Sequence, residues 1–234
     1  MTEIIQMTND AESDLVVWPE AVTVYDKNIS RFIPQKEVIG GFFRKENTNF
    51  YTSAINIKTG HFHDKRNLVP FGEFQPFGNL LESFNDFFNI PNSSLSRGDL
   101  NQIKVDWSAL ICWELAFNNT FTDRVRGTKY IIHMSNDKWY GESMPVQHLQ
   151  HAKARAVESN KWVARATLDG ISQIISPRSN ESSKILDRGE KGSITHEITL
   201  NEVDTFYLKY GDAPLLIISA LSLIFGMYTR KNEK

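Results

Sequence analysis

The chain has 234 residues, a length that suits one domain with a sizeable buried core. Its 26 basic and 28 acidic side chains give a formal net charge of -2, so it lacks the basic field of a nucleic-acid-binding protein, and no nucleic acid is expected as a partner. Cys112 is the only cysteine, which excludes a disulfide within the chain and any cysteine-rich metal site.

Short runs along the chain have the composition of β-strands. Runs 14–18 and 129–135 are apolar through their centres, which is typical of strands covered on both faces. Run 193–200 alternates between apolar and polar residues, which predicts a strand with one wetter face. The predicted strands are, in chain order, 14–18, 50–57, 108–112, 129–135, 162–167, 171–176 and 193–200.

Helices are predicted between these strands. Residues 144–161 have Pro145 near their start and a long run of strong helix formers, with Arg155 and Glu158 paired at helical spacing. Strands that alternate with helices indicate an α/β layered fold. Segment 78–90 places an apolar face at helical spacing through Leu80, Leu81, Phe84, Phe87 and Phe88.

The sequence ends in an apolar run over 213–228 that carries no charge and precedes Arg230 and Lys231. The run is slightly shorter than the roughly 20 residues of a usual membrane-spanning helix, and a buried core helix is the alternative. Its apolar character on all faces and the cations beyond it favour a membrane helix with a cytoplasmic C-terminus. We therefore expect the main domain on the extracytoplasmic side.

Three charged residues are candidates for a functional site because of their positions in the predicted α/β fold. Glu20 follows strand 14–18 and a proline, and the carboxyl ends of buried strands are where such folds place functional groups. Taken alone, Glu20 is equally explained as a solvated loop carboxylate. Lys65 and Glu73 flank an apolar turn, where charges are costly unless they are paired or used, although a surface salt bridge is the alternative.

Cys112 ends the predicted strand 108–112, and Glu114 follows it closely. A cysteine nucleophile needs a base for its proton and a cation or amide for the developing oxyanion. The sequence has no Cys–His pairing motif, but it offers glutamates as bases and a lysine as electrostatic support. An inert buried thiol is the commoner fate of a lone cysteine and remains the alternative.

A metal site is not expected at the histidines. His133, His148 and His151 lack a carboxylate or cysteine at ligand spacing. The sequence therefore predicts neither a metal nor a cofactor.

The joint order of the motifs is more specific than any one of them. "WPE", then "K" before "PFGE", then "CWE" resemble the nitrilase superfamily, whose Glu–Lys–Cys triad occurs in this order. From about Asp14 onward the chain is similar to the catalytic domain of the apolipoprotein N-acyltransferase family. The blocks that carry this resemblance are "LVVWPEAV", "KRNLVPFGEFQPF", "LICWELAF", "MSNDKWYGES", "QHLQHAKARAVESNKWVARAT" and "YLKYGDAP".

The resemblance implies a role for each residue that matches a family motif. Glu20 matches the general base, Lys65 the triad lysine, and Cys112 the nucleophile that carries an acyl thioester. The supporting residues implied are Glu73, which backs the lysine and the reacting centre, Glu114, which shapes the site, and Trp113, whose backbone N–H completes an oxyanion hole with Lys65.

The resemblance also implies a fold and an activity. The fold is a nitrilase-like α-β-β-α sandwich followed by one C-terminal transmembrane helix. The activity transfers a fatty acyl chain from a membrane phospholipid to the N-terminal amine of a diacylglyceryl-cysteine lipoprotein, at the bacterial inner membrane with the catalytic domain on the periplasmic side. A nitrilase-type amidase, and an inactive or partner-dependent fragment, are the alternatives.

The expected organisation is a catalytic domain over 1–206 and a membrane helix with a basic cytoplasmic tail over 207–234. Family members have membrane helices and a first strand before the "VVWPE" block, so we expect an N-terminally truncated catalytic domain, with a separate chain as a possible source of those helices. Segment 78–90 is expected to be either an amphipathic arm that enters lipid over the site or a core-facing helix.

Overall fold

A computed structural model describes residues 1–33, 36–75, 94–99 and 103–232. The strands are β1 (Leu15–Val17), β2 (Thr23–Val24), β3 (Glu37–Glu46), β4 (Asn49–Asn56), β5 (Phe62–Asp64), β6 (Trp107–Ile111), β7 (Tyr130–Asn136), β8 (Val163–Leu168) and β9 (Gln173–Ile175). The helices are α1 (Thr2–Asp10), α2 (Asn118–Val125), α3 (Ser143–Ser159), α4 (Phe206–Tyr210) and α5 (Ala213–Asn232). Short 3-10 helices cover Lys27–Phe32, Cys112–Ala116, Asp137–Trp139 and Ser179–Glu181.

The strands form two mixed sheets. In the first, the order is β1-β3-β4-β5 and β2 also pairs with β3; β1 and β2 run parallel to β3, whereas β3, β4 and β5 are antiparallel neighbours. In the second, β6, β7 and β8 are parallel and β9 is antiparallel to β8.

Three apolar clusters show how the layers stack. One joins Ile39 and Ala54 of the first sheet to Ala109 and Ile132 of the second, so the two sheets pack face to face. A second covers the outer face of the second sheet with α2 and α3, and a third covers the outer face of the first sheet with α1. The described residues therefore form the expected α-β-β-α layers.

Strand predictions over apolar runs agree with the structure. Every predicted strand except 193–200 coincides with an observed one, and the predicted helix 144–161 is α3. The ion pair predicted within that helix is present, with Arg155 Nη1 2.6 Å from Glu158 Oε2.

The prediction of a strand over 193–200 is wrong. Residues 191–205 have no regular secondary structure, and most of their side chains are exposed. Alternation of polar and apolar residues stabilises a strand only when a neighbouring strand pairs with it and a core covers its apolar face. Ile194 and Ile198 are only partly buried, so this segment crosses the surface as irregular chain.

The sequence analysis missed β3, the longest strand described. Gly40 and Gly41 interrupt its apolar pattern, and glycine inside a strand usually weakens it. Here Gly41 permits a close approach, because a Cβ at this position would lie 2.4 Å from the carbonyl oxygen of Pro19 and 2.5 Å from Cα of Glu20. The Gly41 N–H donates to that same carbonyl over 3.1 Å, so the strand fixes the segment that carries Glu20.

Helix α5 is exposed along its length. Its window Ala213–Arg230 has a mean hydropathy of 1.5 and is long and apolar enough to cross a membrane, and none of the window is buried within the described chain. The alternative of a buried core helix is therefore wrong.

The predicted apolar helix over 78–90 lies outside the described residues.

Gly41→Ala is expected to lower the free energy of unfolding by about 1–3 kcal/mol, because a methyl group would collide with the backbone of Pro19 and Glu20. Urea unfolding measures the change. Gly141→Ala is the matched control, since nothing lies within 4 Å of its Cβ position. Equal stability of the two variants would contradict the close approach.

Candidate active site

The predicted site residues follow strands of both sheets and meet at one end of the sandwich. Lys65 comes directly after β5, Cys112 directly after β6, and Glu20 shortly after β1. All three are almost fully buried, with 1%, 3% and 5% of their surface exposed. The two stacked sheets therefore bring together groups that are far apart in the sequence.

Lys65 is the centre of this cluster. Its Nζ lies 3.0 Å from Glu20 Oε1 and 2.6 Å from Glu73 Oε1, so one buried cation holds two carboxylates. Burial by itself lowers the pKa of Lys65, but the negative charges of Glu20, Cys112 and Glu73 outweigh it, and the pKa is raised. Lys65 is therefore a permanently charged ammonium at neutral pH.

Glu20 has both carboxylate oxygens engaged. While Oε1 accepts from Lys65, Oε2 accepts from the backbone N–H of Asn136 at the end of β7 over 2.9 Å. Burial raises the pKa of Glu20 above its usual value, and the charge of Glu73 adds to this, although Lys65 opposes it. A buried carboxylate with a raised pKa is suited to accept a proton during a reaction.

Cys112 leaves β6 with a φ of 55°, the left-handed region that non-glycine residues seldom adopt. This conformation turns the chain from the strand into the 3-10 helix Cys112–Ala116. Burial and the nearby charge of Glu20 raise the pKa of Cys112 to about 12, against the opposing effect of Lys65. The resting residue is therefore a thiol, and it needs a base before it can act as a nucleophile.

Glu114 is buried and links the loop after Lys65 to the strand before Cys112. Its Oε1 accepts from the backbone N–H of Arg66 over 2.7 Å and of Asn67 over 3.1 Å, just after the lysine. Its Oε2 accepts from the N–H of Ile111 over 2.9 Å and lies 3.3 Å from Arg124 Nη1. The carboxylate thus ties the lysine loop to the cysteine strand.

Trp113 lies between the same two segments. Its indole N–H donates to the carbonyl oxygen of Asn67 over 3.1 Å, and its ring packs edge-on against Phe117 with centroids 5.0 Å apart. Its backbone N–H belongs to the first turn of a 3-10 helix, where such groups lack a partner inside the helix. That N–H directly follows Cys112.

The structure also places buried polar residues near the site, of which the sequence analysis named only His133 and His148, as residues that hold no metal. His133, Ser135, Asp137, His148 and Arg165 are all at least 95% buried and linked by hydrogen bonds, and His133 also bonds to the carbonyl oxygen of Cys112. The signal available in the sequence is the polar run "HMSND" at the end of an apolar strand. His133 and His148 therefore belong to a hydrogen-bonded network.

This set of groups is chemically suited to covalent acyl transfer. A thiol, a carboxylate with a raised pKa and a fixed ammonium allow deprotonation of the nucleophile and stabilisation of an oxyanion. Among the residues described, no group of three or more His, Cys, Asp or Glu is arranged to hold a metal ion.

Comparisons with known proteins show the family of the chain. Residues 35–207 match the carbon-nitrogen hydrolase family, a range that includes Lys65 and Cys112 and begins after Glu20. The chain is similar to the apolipoprotein N-acyltransferases of Shewanella oneidensis and Vibrio vulnificus, at 32% identity over 257 residues and 29% over 248. These matches cover 95% and 94% of this chain and 49% of each relative, so the chain spans about half the length of the curated relatives it matches.

A solved structure gives the same picture of the fold. The chain is similar to a carbon-nitrogen hydrolase superfamily protein from Xanthomonas campestris, with a TM-score of 0.50 and 13% identity. The match covers 91% of this chain and 86% of that one. At this identity the likeness concerns the fold alone.

Lys65→Met is expected to cost about 3–5 kcal/mol of stability at neutral pH, because it leaves two carboxylates near one another without their cation. In the variant, Glu20 keeps the burial that raises its pKa and loses the charge that lowers it. The native state then holds a proton that the unfolded chain releases near the usual glutamate pKa of about 4.3. The free energy of unfolding should therefore fall as the pH rises from about 5 through that raised pKa.

Urea unfolding at a series of pH values measures this slope. Lys58→Met, at an exposed lysine, is the matched control and should change neither the stability nor its slope with pH. A Lys65→Met protein whose stability is flat or rises with pH over this range would contradict the buried cluster.

Proposed function

The chain belongs to the carbon-nitrogen hydrolase family, and on that premise we propose that it is an N-acyltransferase of lipoproteins. A fatty acyl chain would pass from a membrane phospholipid, through a thioester on Cys112, to the N-terminal amine of a diacylglyceryl-cysteine. The observation that carries this proposal is the buried Lys65 ammonium held between Glu20 and Glu73 beside Cys112. Similarity to curated relatives with this name over 95% of the chain supports the choice of reaction.

In the first half-reaction, Glu20 takes the thiol proton of Cys112 and the sulfur attacks the ester carbonyl of the phospholipid. A carbon–sulfur bond forms, and the carbon–oxygen bond of the ester breaks. The departing alkoxide takes the proton from Glu20 and leaves as a lysophospholipid. Burial favours the protonated form of Glu20, which makes it an effective carrier of this proton.

In the second half-reaction, the lipoprotein amine attacks the thioester. A carbon–nitrogen bond forms, the carbon–sulfur bond breaks, and Glu20 accepts the proton that the amine loses. That proton then returns to the sulfur, so Cys112 is again a thiol and the cycle closes. Two half-reactions through one covalent intermediate replace one difficult direct transfer.

The tetrahedral intermediates need donors for their oxyanion. We assign this role to the Lys65 ammonium and the backbone N–H of Trp113, which follows the nucleophile directly. Glu73 would keep Lys65 in place, since it accepts from Nζ and from the N–H of Val69 over 2.8 Å. Glu114 would hold the lysine loop and the cysteine strand in register through its four donors.

The proposed function also implies how the chain is divided into a domain and a membrane helix. Residues 1–206 would form the catalytic domain, and 207–234 would form a membrane helix with a basic cytoplasmic tail. The uncovered apolar window Ala213–Arg230 supports this, because water is a poor solvent for such a helix. The catalytic domain would lie on the periplasmic side of a bacterial inner membrane, beside both lipid substrates.

The described chain contains one helix of this type, whereas its curated relatives are about twice as long. We propose that further membrane helices of the functional unit come from outside this chain, on a partner or an upstream segment.

The alternative function is a nitrilase-type amidase in which water resolves the thioester. The exposed apolar helix α5 favours the lipid reaction, because a soluble amidase needs no anchor.

Incubating the purified chain with a phospholipid is expected to add the mass of one fatty acyl group to Cys112. The reason is that the first half-reaction needs only the Glu20, Lys65 and Cys112 cluster and a lipid ester. Intact-protein mass spectrometry detects the adduct, and a diacylglyceryl lipopeptide with a free amine should remove it and gain the acyl group.

Cys112→Ala is the control and should acquire no acyl mass. Release of the adduct by water at the same rate with and without lipopeptide would favour the amidase. An unmodified Cys112 would overturn the proposal.

Deleting Ala213–Asn232 is expected to abolish binding to phospholipid vesicles and to leave the reactivity of Cys112 unchanged. The helix is exposed along its length, so its removal uncovers no core of the described domain. Vesicle co-sedimentation measures the first effect and iodoacetamide alkylation the second. A truncated chain that still co-sediments would contradict the assignment of α5 as the anchor.

A further inference from the structure

The short helix α4 is held to the domain by one of its faces. Leu208 is fully buried in the apolar cluster that α2 and α3 form on the second sheet. The ring of Tyr207 packs against the same cluster, with its centroid 6.3 Å from that of Phe121. The opposite face of α4 therefore points away from the core.

That opposite face carries Phe206, Lys209 and Tyr210, which we call the α4 face. These residues are three and four positions apart, so their side chains are neighbours on a helix. Phe206 is 66% exposed and Tyr210 57%, and their ring centroids lie 4.7 Å apart, while Lys209 is also exposed. The domain thus presents an uncovered aromatic pair with a cation beside it.

Two residues separate the α4 face from the apolar helix α5, and hydrogen bonds fix both of them. The N–H of Gly211 donates to the carbonyl oxygen of Tyr207 over 2.7 Å, with a φ of 54° that glycine adopts readily. Asp212 accepts from Asn118 Nδ2 of α2 over 2.7 Å and from the hydroxyl of Tyr207 over 3.2 Å. The connection is therefore part of the fold and not a flexible linker.

The helices on both sides of this connection are fixed as well. Arg126, directly after α2, donates from Nε and Nη2 to the carbonyl oxygen of Leu208 over 2.9 and 2.8 Å. The N–H of Leu216 donates to the carbonyl oxygen of Asp212 over 3.1 Å, so the hydrogen bonds of α5 begin at a residue that is itself bonded to the domain. The fold therefore sets the direction in which α5 leaves the domain.

A fixed connection places the α4 face beside the point where an anchoring α5 enters lipid. The window Ala213–Arg230 is apolar and unburied, and it starts three residues after Tyr210. Tyrosine is enriched at the boundary between headgroups and acyl chains, because its ring is apolar and its hydroxyl is polar. Lysine at the same level is attracted to anionic headgroups. The composition of the α4 face is therefore that of a membrane-interface surface.

We propose that the α4 face docks on the headgroup layer of a phospholipid membrane, so that the catalytic domain rests on the bilayer in one orientation. The two aromatic rings enter the boundary with the acyl chains, and the Lys209 ammonium lies at the phosphates. This deepens the proposed function and rests on α5 being its membrane anchor. A docked domain holds Cys112 at one height above the lipid that supplies the acyl group.

The test is contact between the α4 face and spin-labelled lipid in the full chain. In a Cys112→Ala background, Lys209→Cys provides an exposed thiol beside both aromatic rings, and a nitrobenzoxadiazole dye is attached to it. The chain is reconstituted into vesicles of phosphatidylcholine and phosphatidylglycerol in which some phosphatidylcholine carries a nitroxide near the top of its acyl chain. Because a nitroxide quenches only a dye that it approaches closely, this dye is expected to lose most of its fluorescence.

Phe32→Cys is the matched control. Phe32 is 60% exposed but follows Ile29 in the layer that packs with α1, on the far side of the two sheets from α4. A dye at this position should keep its fluorescence. Replacing both Phe206→Ser and Tyr210→Ser should remove most of the quenching at Lys209→Cys, and thermal unfolding checks that every variant is folded.

A dye at Phe225→Cys, within α5, separates the two proposals. Quenching at Phe225→Cys with none at Lys209→Cys would overturn the docking and leave the anchor intact, whereas no quenching at either would overturn both. Equal quenching at Lys209→Cys and Phe32→Cys, or quenching that survives both serine substitutions, would overturn the docking. Quenching at Lys209→Cys that disappears as more protein is placed in each vesicle would assign the α4 face to a second copy of the chain instead.

Discussion

The buried ammonium of Lys65 determines how the site is built. Desolvating a charge costs several kcal/mol, so an internal lysine is tolerated only where close anions offset that cost. Glu20 and Glu73 do so from two different loops, which must therefore meet at Nζ. The ion cluster thus fixes the geometry of the site, while its own stability depends on the surrounding fold.

Several contacts hold the segments that carry Glu20, Lys65 and Cys112 in position. Gly41 lets the chain before Glu20 lie against the backbone of β3, at a distance where any side chain would collide. Glu114 accepts hydrogen bonds from both the lysine loop and the cysteine strand, and Arg124 strengthens the same junction by donating to the carbonyl oxygens of Ala109 and Asp64. These contacts position the side chains of the site.

The site draws charged groups from both sheets. Lys65 and its two carboxylates follow strands of the first sheet, whereas Asp137 and Arg165 form a buried ion pair on the second. Burial and the charge of Glu20 raise the pKa of Cys112 to about 12 against the opposing effect of Lys65, so the resting sulfur is protonated. A protonated thiol in a closed site is protected from side reactions until a substrate and a base act together.

Local composition was enough to predict the continuous apolar strands, helix α3 and an apolar helix over 213–228. The order of the motifs, through its resemblance to a family, made Glu20, Lys65, Glu73 and Cys112 candidates for one site. Three features became visible only in the folded chain: the lack of a partner strand for 193–200, the length of the glycine-bearing β3, and the hydrogen bonds that join His133, Arg165 and Asp137. Pairing partners, close backbone approaches and hydrogen-bond partners depend on segments distant in sequence, and no local pattern records them.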